Sequence, residues 1–414
     1  MVLRGHASIQ GSTDIPTLYD LLPGYLPMPT FGDTDSTLAG YLASHRSKDG
    51  WWANFDKYAV SLLKAWYGEL ATAENEFGFG WLPRTSGDHS HFGYWLDMAD
   101  GASGLDRRAN RLEGLFVMGQ NPAVGAPNSR LERRALANLQ WLVVRDMVET
   151  ETATFWQDSP EVERGELRTE DIRTEVFFFP AAAHAEKSGC FTNTQRLLQW
   201  HERAIDPSGD ARSEAWFVYH LGRRLKARAS GDLSRRNRGL NALTWNYPTS
   251  GPRRGPEIEH VLQEINGRWT RDGAQVEGFS DLSADGSTAC GCWIYSGVYP
   301  TADRNRAAER DPSGPYGHGW GFAWPADRRI LYNRASARPD GTPWSERKKL
   351  VWWDTESHSW TGLDTPDFTK NKAPDYVPPL GAGGDEAIRG DVPFIMHSAG
   401  LGWIWVPIGL RDGP

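Results

Sequence analysis

The sequence predicts an α/β protein built on a parallel sheet, and three short apolar runs separated by helical patterns carry this prediction. The runs cover residues 115–118, 141–144 and 176–179, and each leads into a polar loop or a proline. Continuous apolar runs are typical of parallel strands, because helices cover both faces of such sheets. The chain has 414 residues, of which 39% are hydrophobic and 24% charged, and this size and balance predict a globular protein of two or three domains.

We divide the chain at residues 104 and 230. Residues 1–104 begin with a stretch rich in glycine and proline, continue through a predicted helix at 55–67, and return to loop structure before the first apolar run. Tyr58, Leu62 and Trp66 share one face of that helix. The region 105–230 is the predicted α/β unit.

Two helices are predicted inside the α/β unit from their caps and periodicity. Asn128 or Ser129 caps the first of them, which directs Leu131, Ala135, Leu136 and Leu139 inward. The second begins after Ser213, and its apolar stripe is formed by three residues one turn apart. They are Phe217, Leu221 and Leu225.

Residues 231–414 are expected to form an irregular, aromatic-rich extension packed on the α/β unit. Turn residues are dense there, and the strand-like runs at 292–295 and 350–353 are short. Twenty tryptophans in the whole chain are typical of a large buried core or an extensive partner interface.

Charge and cysteine content exclude several functions. The net charge of -8 argues against nucleic acid as a partner, because binding to a polyanion depends on clustered cations. No apolar run approaches the ~20 residues that span a bilayer, and the first residues lack a signal-peptide pattern. Three cysteines are too few for a [4Fe–4S] cluster, which takes about four thiolates.

Ligands of open α/β sheets collect beyond the carboxyl ends of the strands, and three loops of this chain fall there. The first contains Gly119, Gln120, Asn121 and Pro122. A glycine and a short amide let the backbone approach a ligand, and the helix that follows favours phosphate at its N-terminus. An ordinary strand-to-helix turn explains the same residues equally well.

The second and third loops carry carboxylates. Asp146 ends a strand and could accept two N–H groups of a planar base such as guanine, with the hydroxyls of Thr150 and Thr152 nearby for phosphate. A turn cap is the slightly favoured alternative for Asp146. In the third loop, His184 and Glu186 could act as acid and base, but a polar loop that satisfies the sheet edge is favoured.

The N-terminal segment, residues 3–14, interleaves polar side chains with glycines and other small residues. Arg4 and His6 could point into a ligand site while the backbone lies close to the ligand, whereas a frayed terminus is the default for a first dozen residues. Metal binding at residues 88–91 and a redox pair at Cys290 and Cys292 are both disfavoured. Residues 88–91 lack a third ligand at a suitable spacing. Cys290 and Cys292 are expected to be buried thiols.

At these residues the chain resembles the molybdopterin oxidoreductase superfamily, and within it the large (alpha) catalytic subunit of respiratory molybdenum- or tungsten-dependent formate dehydrogenases. The similarity runs along nearly all of the chain, in a common order and spacing. The matching stretches are 3–14, 22–25, 71–75, 81–83, 119–122, 146–152, 155–157, 290–294 and 329–337.

This resemblance implies a Rossmann-like parallel-sheet unit of the molybdopterin oxidoreductase fold, with irregular flanking segments. It implies oxidation of formate to carbon dioxide at a bis(molybdopterin guanine dinucleotide) (bis-MGD) centre of molybdenum or tungsten, in anaerobic respiration. Arg4 would hold the formate carboxylate and His6 would line the same pocket. The loop of Asn121 would contact a guanine dinucleotide arm, Asp146 would receive the guanine edge with Thr150 and Thr152 nearby, and Glu186 would contact the cofactor.

The resemblance also implies partners and a location. These are an iron–sulfur beta subunit that takes the electrons, a membrane cytochrome gamma subunit in some complexes, and a periplasmic site at the membrane. The family's cluster cysteines, its cysteine or selenocysteine metal ligand and its C-terminal β-rich domain are not in this sequence, so we expect an internal fragment that is inactive alone. The alternatives are a nitrate or sulfoxide reductase, or a non-catalytic module that binds a cofactor or partner.

Overall fold

A computed structural model gives the fold of most of the chain. It describes residues 8–15, 21–46, 54–85, 95, 98, 112–193, 196–232, 234–311, 319–323, 331–333, 337–349, 351–362, 371–382, 386, 389–391 and 394–396. Helices and strands are both present, and the strands pair into one parallel sheet and several two-stranded antiparallel ladders.

The α-helices are short, apart from two. In chain order they are α1 (Ile9–Asp14), α2 (Leu38–His45), α3 (Phe55–Tyr67), α4 (Pro122–Gly125), α5 (Ser129–Leu136), α6 (Glu151–Asp158), α7 (Pro160–Glu163), α8 (Glu214–Ala229), α9 (Arg235–Ala242) and α10 (Ile258–Asn266).

The strands have between two and six residues. They are β1 (Leu21–Leu22), β2 (Leu26–Pro27), β3 (Gly114–Met118), β4 (Trp141–Asp146), β5 (Glu175–Pro180), β6 (Gly189–Thr192), β7 (Leu198–His201), β8 (Thr249–Ser250), β9 (Gly255–Pro256), β10 (Arg268–Trp269), β11 (Thr288–Ala289), β12 (Arg310–Asp311), β13 (Gly319–Trp320), β14 (Leu331–Asn333), β15 (Val351–Asp354), β16 (Ser359–Gly362) and β17 (Phe394–Met396).

The three predicted apolar runs are the strands of the parallel sheet, in the order β3–β4–β5. Helices α4 and α5 connect the first two strands, and α6 and α7 connect the second and third. One face of the sheet packs its alternate side chains, among them Val117, Leu142 and Val144, against these connecting helices. The predicted α/β class and its parallel sheet are confirmed.

The described residues do not fully cover the opposite face of the sheet, which we call the aromatic face. Phe116, Phe177 and Phe179 point to this side and stay 43%, 38% and 42% exposed. Phe217 of α8 contacts two of them, with ring centroids 6.2 Å from Phe116 and 5.8 Å from Phe179. The prediction of a sheet covered on both faces is therefore wrong for this face.

The caps of the two predicted helices are confirmed. The Asn128 side chain accepts a hydrogen bond from the Leu131 N–H at the start of α5, and Ser213 caps α8 by accepting from the Trp216 N–H. The predicted stripe of α8 is wrong at its end, because Leu225 is 45% exposed. Tyr219 and Ala229 are the buried residues of that helix.

A second and larger core surrounds α3, the predicted helix at 55–67. It brings the N-terminal hairpin and α3 together with the segment that follows β11. The predicted strand at 292–295 is wrong: Trp293–Tyr295 is a buried 3₁₀ turn. Trp293 donates its indole N–H to the Gly24 carbonyl at 2.9 Å, and Gly24 has φ +69°, so only a glycine fits beneath the ring. The described residues of the predicted run at 350–353 lie in β15 (Val351–Asp354), which pairs with β16.

Candidate functional site

The loop after β3 begins at the carboxyl edge of the sheet, as predicted. The Gly119 N–H donates to the Arg145 carbonyl at 2.9 Å, and the residue adopts φ +64°. Apart from its chain neighbours, no described residue has a heavy atom within 4 Å of the place where a Cβ on Gly119 would stand. Gln120 and Asn121 follow it, and Pro122 begins α4. This turn therefore leaves open space beside its backbone, as close approach of a ligand requires.

Asn121 and Thr152 join the loop after β3 to the loop after β4. The Asn121 Oδ1 atom accepts from the Thr152 backbone N–H at 3.1 Å and from its hydroxyl at 2.7 Å. The Thr152 hydroxyl also accepts from the Ala123 N–H at 3.1 Å, and the Asn121 amide donates to Glu151 at 2.6 Å. These two side chains hold the loops together, so their contribution to a site is chiefly to its shape.

The loop after β4 carries two of the predicted ligand-binding side chains, Asp146 and Thr150. The Asp146 Oδ1 atom accepts from the Met147 N–H at 2.8 Å, which is the local cap expected from the alternative interpretation. The Thr150 hydroxyl is buried and finds no hydrogen-bond partner within the described residues. A buried hydroxyl without a partner is uncommon and is explained when a ligand supplies one. Met147 and Val148 extend from the same loop and are exposed.

Glu186 anchors the loop after β5. Its two carboxylate oxygens accept backbone N–H groups, from Ala183 at 2.7 Å and from Ser208 at 3.1 Å. His184 packs its ring against His201, with centroids 4.1 Å apart. This bonding is that of a polar loop satisfying the sheet edge, and cofactor contact by Glu186 stays a prediction.

Arg4 and His6 lie outside the described residues, as do residues 88–91. The helix that follows Arg4 and His6 is described, and its last residue, Asp14, is fully buried. The Asp14 Oδ1 atom accepts from the Gln10 amide at 2.7 Å and from the Tyr25 hydroxyl at 2.8 Å. Its other oxygen accepts from the Tyr295 hydroxyl at 3.2 Å. Gln10 and Asp14 thus point into the protein, where they fix α1.

Burial dominates the electrostatics of Asp14. It raises the pKa of the carboxyl from 3.8 to about 6, although three hydrogen bonds and the charge of Arg196 act in the opposite direction. Asp14 ends the matching stretch 3–14, but its burial is not visible in the sequence, because its partner Tyr295 lies 281 residues away.

An apolar cavity of about 300 Å³ lies beneath α1. Gly11 and Ile15 of the α1 segment form one side, and Leu198 and Val261 are among the residues opposite. Helix α1, which follows Arg4 and His6 in the sequence, therefore borders a space large enough for a small molecule.

A metal site is not found among the described residues, where no three His, Cys, Asp or Glu side chains form a group that could hold an ion. Cys290 and Cys292 are free and buried, as expected for structural thiols. Burial raises the pKa of Cys290 to about 12, which keeps it in the unreactive thiol form.

These loops define an α/β protein with a candidate ligand site at the carboxyl edge of its parallel sheet. No protein-family model matches the chain. Curated relatives match it along its whole length. It is 36% identical over 436 residues to the formate dehydrogenase-O major subunit of Escherichia coli and 34% identical over 434 residues to the nitrate-inducible formate dehydrogenase major subunit of the same organism. It is 33% identical over 431 residues to formate dehydrogenase 2 subunit alpha (cytochrome c-553) of Nitratidesulfovibrio vulgaris.

The chain is thus similar along its whole length to formate dehydrogenase major, or alpha, subunits. Each match covers 100% of this chain but only 40%, 40% and 39% of these three relatives. The chain therefore spans about two fifths of the length of the proteins it resembles. Among the described residues, no helix is long and apolar enough to cross a membrane.

Proposed function

We propose that this chain is part of a formate dehydrogenase catalytic subunit that oxidises formate to carbon dioxide. The observation that carries the proposal is the match along the whole chain to subunits that bear this name, at 31–36% identity. All of these relatives are formate dehydrogenases, which favours formate over the substrates of nitrate or sulfoxide reductases. The chain spans only part of each relative, so we propose that it is inactive by itself.

The cofactor that the family implies is a pterin bound to molybdenum or tungsten, and we propose the bis-MGD form. The described residues fit such a group at the carboxyl edge of a Rossmann-like sheet. The Thr150 hydroxyl lacks a protein partner in the described part of the chain, and Gly119 has open space beside it. Asp146 would accept the guanine edge, and the Asn121–Thr152 pair would hold the two loops at the right separation.

Arg4 and His6 would form the formate site at the start of the chain. Arginine presents a planar fork of donors that matches a carboxylate and stays charged at any working pH. Formate held by its two oxygens leaves its C–H bond directed away from Arg4. The reaction breaks that bond and releases carbon dioxide, one proton and two electrons. When bound, the metal–pterin group takes up the two electrons.

The partners and the location follow from the same resemblance. We propose an iron–sulfur beta subunit as the electron acceptor, a membrane cytochrome gamma subunit in some complexes, and a periplasmic location at the membrane. The [4Fe–4S] cluster of the catalytic subunit would be bound in the part of the subunit that precedes this segment.

Substitution of Arg4 in the intact enzyme tests the proposal. Arg4→Ala removes the charge partner of a buried carboxylate, which raises the activation barrier by ~2–5 kcal/mol and lowers kcat/KM for formate accordingly. Arg168→Ala serves as the control, because Arg168 is an exposed arginine paired with Glu170. Near-normal turnover of formate by the Arg4→Ala enzyme, with full metal content, would remove Arg4 from the site.

Substitution of Asp146 tests the cofactor site separately. Asp146→Ala should lower the amount of guanine nucleotide released by acid hydrolysis per subunit. Asp158→Ala, at the end of α6, is the matched control. Unchanged nucleotide content in the Asp146 variant contradicts the assignment of the guanine site while leaving the formate site untouched.

A further inference from the structure

Arg145, at the penultimate position of β4, is a buried cation with an incomplete set of partners. It is 1% exposed, its Nη2 atom donates to the Arg212 carbonyl at 2.7 Å, and its guanidinium carbon lies 4.6 Å from the ring centroid of Phe217. Its Nε and Nη1 atoms are buried, and neither has a hydrogen-bond partner in the part of the chain that the structure describes.

The charge of Arg145 is poorly compensated. In the part of the chain that the structure describes, Glu214 is the carboxylate whose charge acts on it, but Glu214 already accepts from the Lys187 ammonium at 2.7 Å. Burial lowers the pKa of Arg145, yet an arginine side chain stays charged in proteins. An uncompensated buried charge costs several kcal/mol, and native structures rarely keep one without a use. Arg133, on α5, shows the ordinary solution, because the buried Glu161 carboxylate pairs with it.

The guanidinium of Arg145 lies at the carboxyl edge of the sheet. The Arg212 carbonyl that it contacts also accepts from the Ala182 N–H at 2.8 Å, just after β5 ends. The N-terminus of α8 follows at once, capped by Ser213. A helix N-terminus carries partial positive charge, so both the helix and Arg145 raise the electrostatic potential at this edge.

We propose that Arg145 is the buried counter-charge for a phosphate-bearing ligand bound at this edge, between the loop after β4 and the N-terminus of α8. The ligand class is a nucleoside diphosphate, which rests on the proposed function because the pyrophosphate would be that of the pterin dinucleotide. The charge of Arg145 acts on the phosphate through the low-dielectric interior, where screening is weak. The guanidinium atoms therefore need not be exposed. The chain keeps an unfavourable group in order to bind an anion.

The test compares the stability and the anion affinity of Arg145→Met. Urea unfolding of the ligand-free chain should show the variant to be at least as stable as the parent, because methionine fills the site without a buried charge. Titration calorimetry with guanosine diphosphate should show an affinity about tenfold lower, the scale expected when one close charge partner is lost. Arg145→Lys, which keeps the charge, should retain most of the affinity.

Two control variants separate the causes. Arg134→Met removes an exposed arginine of α5 and should leave nucleotide affinity unchanged. Arg133→Met removes a buried arginine that has its carboxylate partner, so it should destabilise the chain where Arg145→Met does not.

Three results would overturn the proposal. The first is a less stable Arg145→Met chain with unchanged nucleotide binding, which would make Arg145 a structural residue. The second is the absence of guanosine diphosphate binding to the parent chain at millimolar concentration. The third is equal affinity for inorganic pyrophosphate and guanosine diphosphate, which would assign the edge to a free anion. Turnover of formate by the intact Arg4→Ala enzyme reports on the proposed function independently of all three.

Discussion

Replacing Asp14 with asparagine should change how the stability of the chain depends on pH. Burial raises the pKa of Asp14 to about 6, against hydrogen bonds from Tyr25, Gln10 and Tyr295 and the charge of Arg196. In the unfolded chain the same carboxyl titrates near 3.8. Protonation of Asp14 therefore favours the folded state, and this contribution is complete below pH ~4 and is lost as the pH rises through about 6.

The size of the effect follows from the difference between the two pKa values. At ~1.4 kcal/mol per pH unit, the shift from 3.8 to about 6 corresponds to a loss of about 3 kcal/mol between pH 4 and pH 7. Asparagine is nearly isosteric with aspartate. Its oxygen can accept from Gln10 and Tyr25, and its amide can donate to the Tyr295 hydroxyl, so the variant keeps the packing of α1.

Urea unfolding followed by tryptophan fluorescence, repeated between pH 4 and pH 8, measures this difference. The free energy of unfolding of Asp14→Asn, relative to that of the parent, should increase by about 3 kcal/mol as the pH rises over this range. Asp285→Asn is the control of opposite sign, because hydrogen bonds with Ser287 lower the pKa of Asp285. A constant offset between Asp14→Asn and the parent at every pH would refute the reasoning.

Three further predictions concern the α/β unit. Asn121→Ala and Thr152→Val should each destabilise the chain by ~1–2 kcal/mol, and the double variant by less than the sum, because they remove the same hydrogen bond; a double-mutant cycle of urea unfolding measures this. Glu161→Gln should cost ~3 kcal/mol in the same assay, because it leaves the Arg133 guanidinium buried without a charged partner, and a change below ~1 kcal/mol would contradict this. Phe177→Thr should slow aggregation of the purified chain, measured by light scattering, with little change in the urea midpoint of unfolding. Aggregation at the parent's rate would show that the chain does not aggregate through the aromatic face.

The sheet and its caps were predictable because their signals are local. Each strand is an apolar run of a few residues, and Asn128 and Ser213 bond to amides three residues ahead of them. The exposure of the aromatic face was not predictable, because a continuous apolar run does not say whether anything packs on its second side. Arg145 had a visible signal, a charge at the end of an apolar strand, but its missing partners could be seen only in three dimensions.

The candidate site was predictable as a set of loops but not as a set of contacts. Chain order placed Gly119 and Asp146 at the ends of neighbouring strands, and the structure brings both to one edge of the sheet. The hydrogen bond between Asn121 and Thr152 spans 31 residues, and the spacing of the two residues does not predict that they meet. The proposed cofactor and substrate rest on the resemblance and not on periodicity.

The hydrogen bonds around α1 and α3 impose an order on the folding of the chain during its synthesis. Asp14 is joined to Tyr295 across 281 residues, Gly24 to Trp293 across 269, and Ser61 to Thr288 across 227. The β3–β4–β5 sheet needs only residues 114–180 and can form while the ribosome is still adding the rest. Helix α1 cannot complete its contacts until Tyr295, the partner of Asp14, has emerged. A nascent chain therefore forms the parallel sheet first and completes the contacts of α1 last.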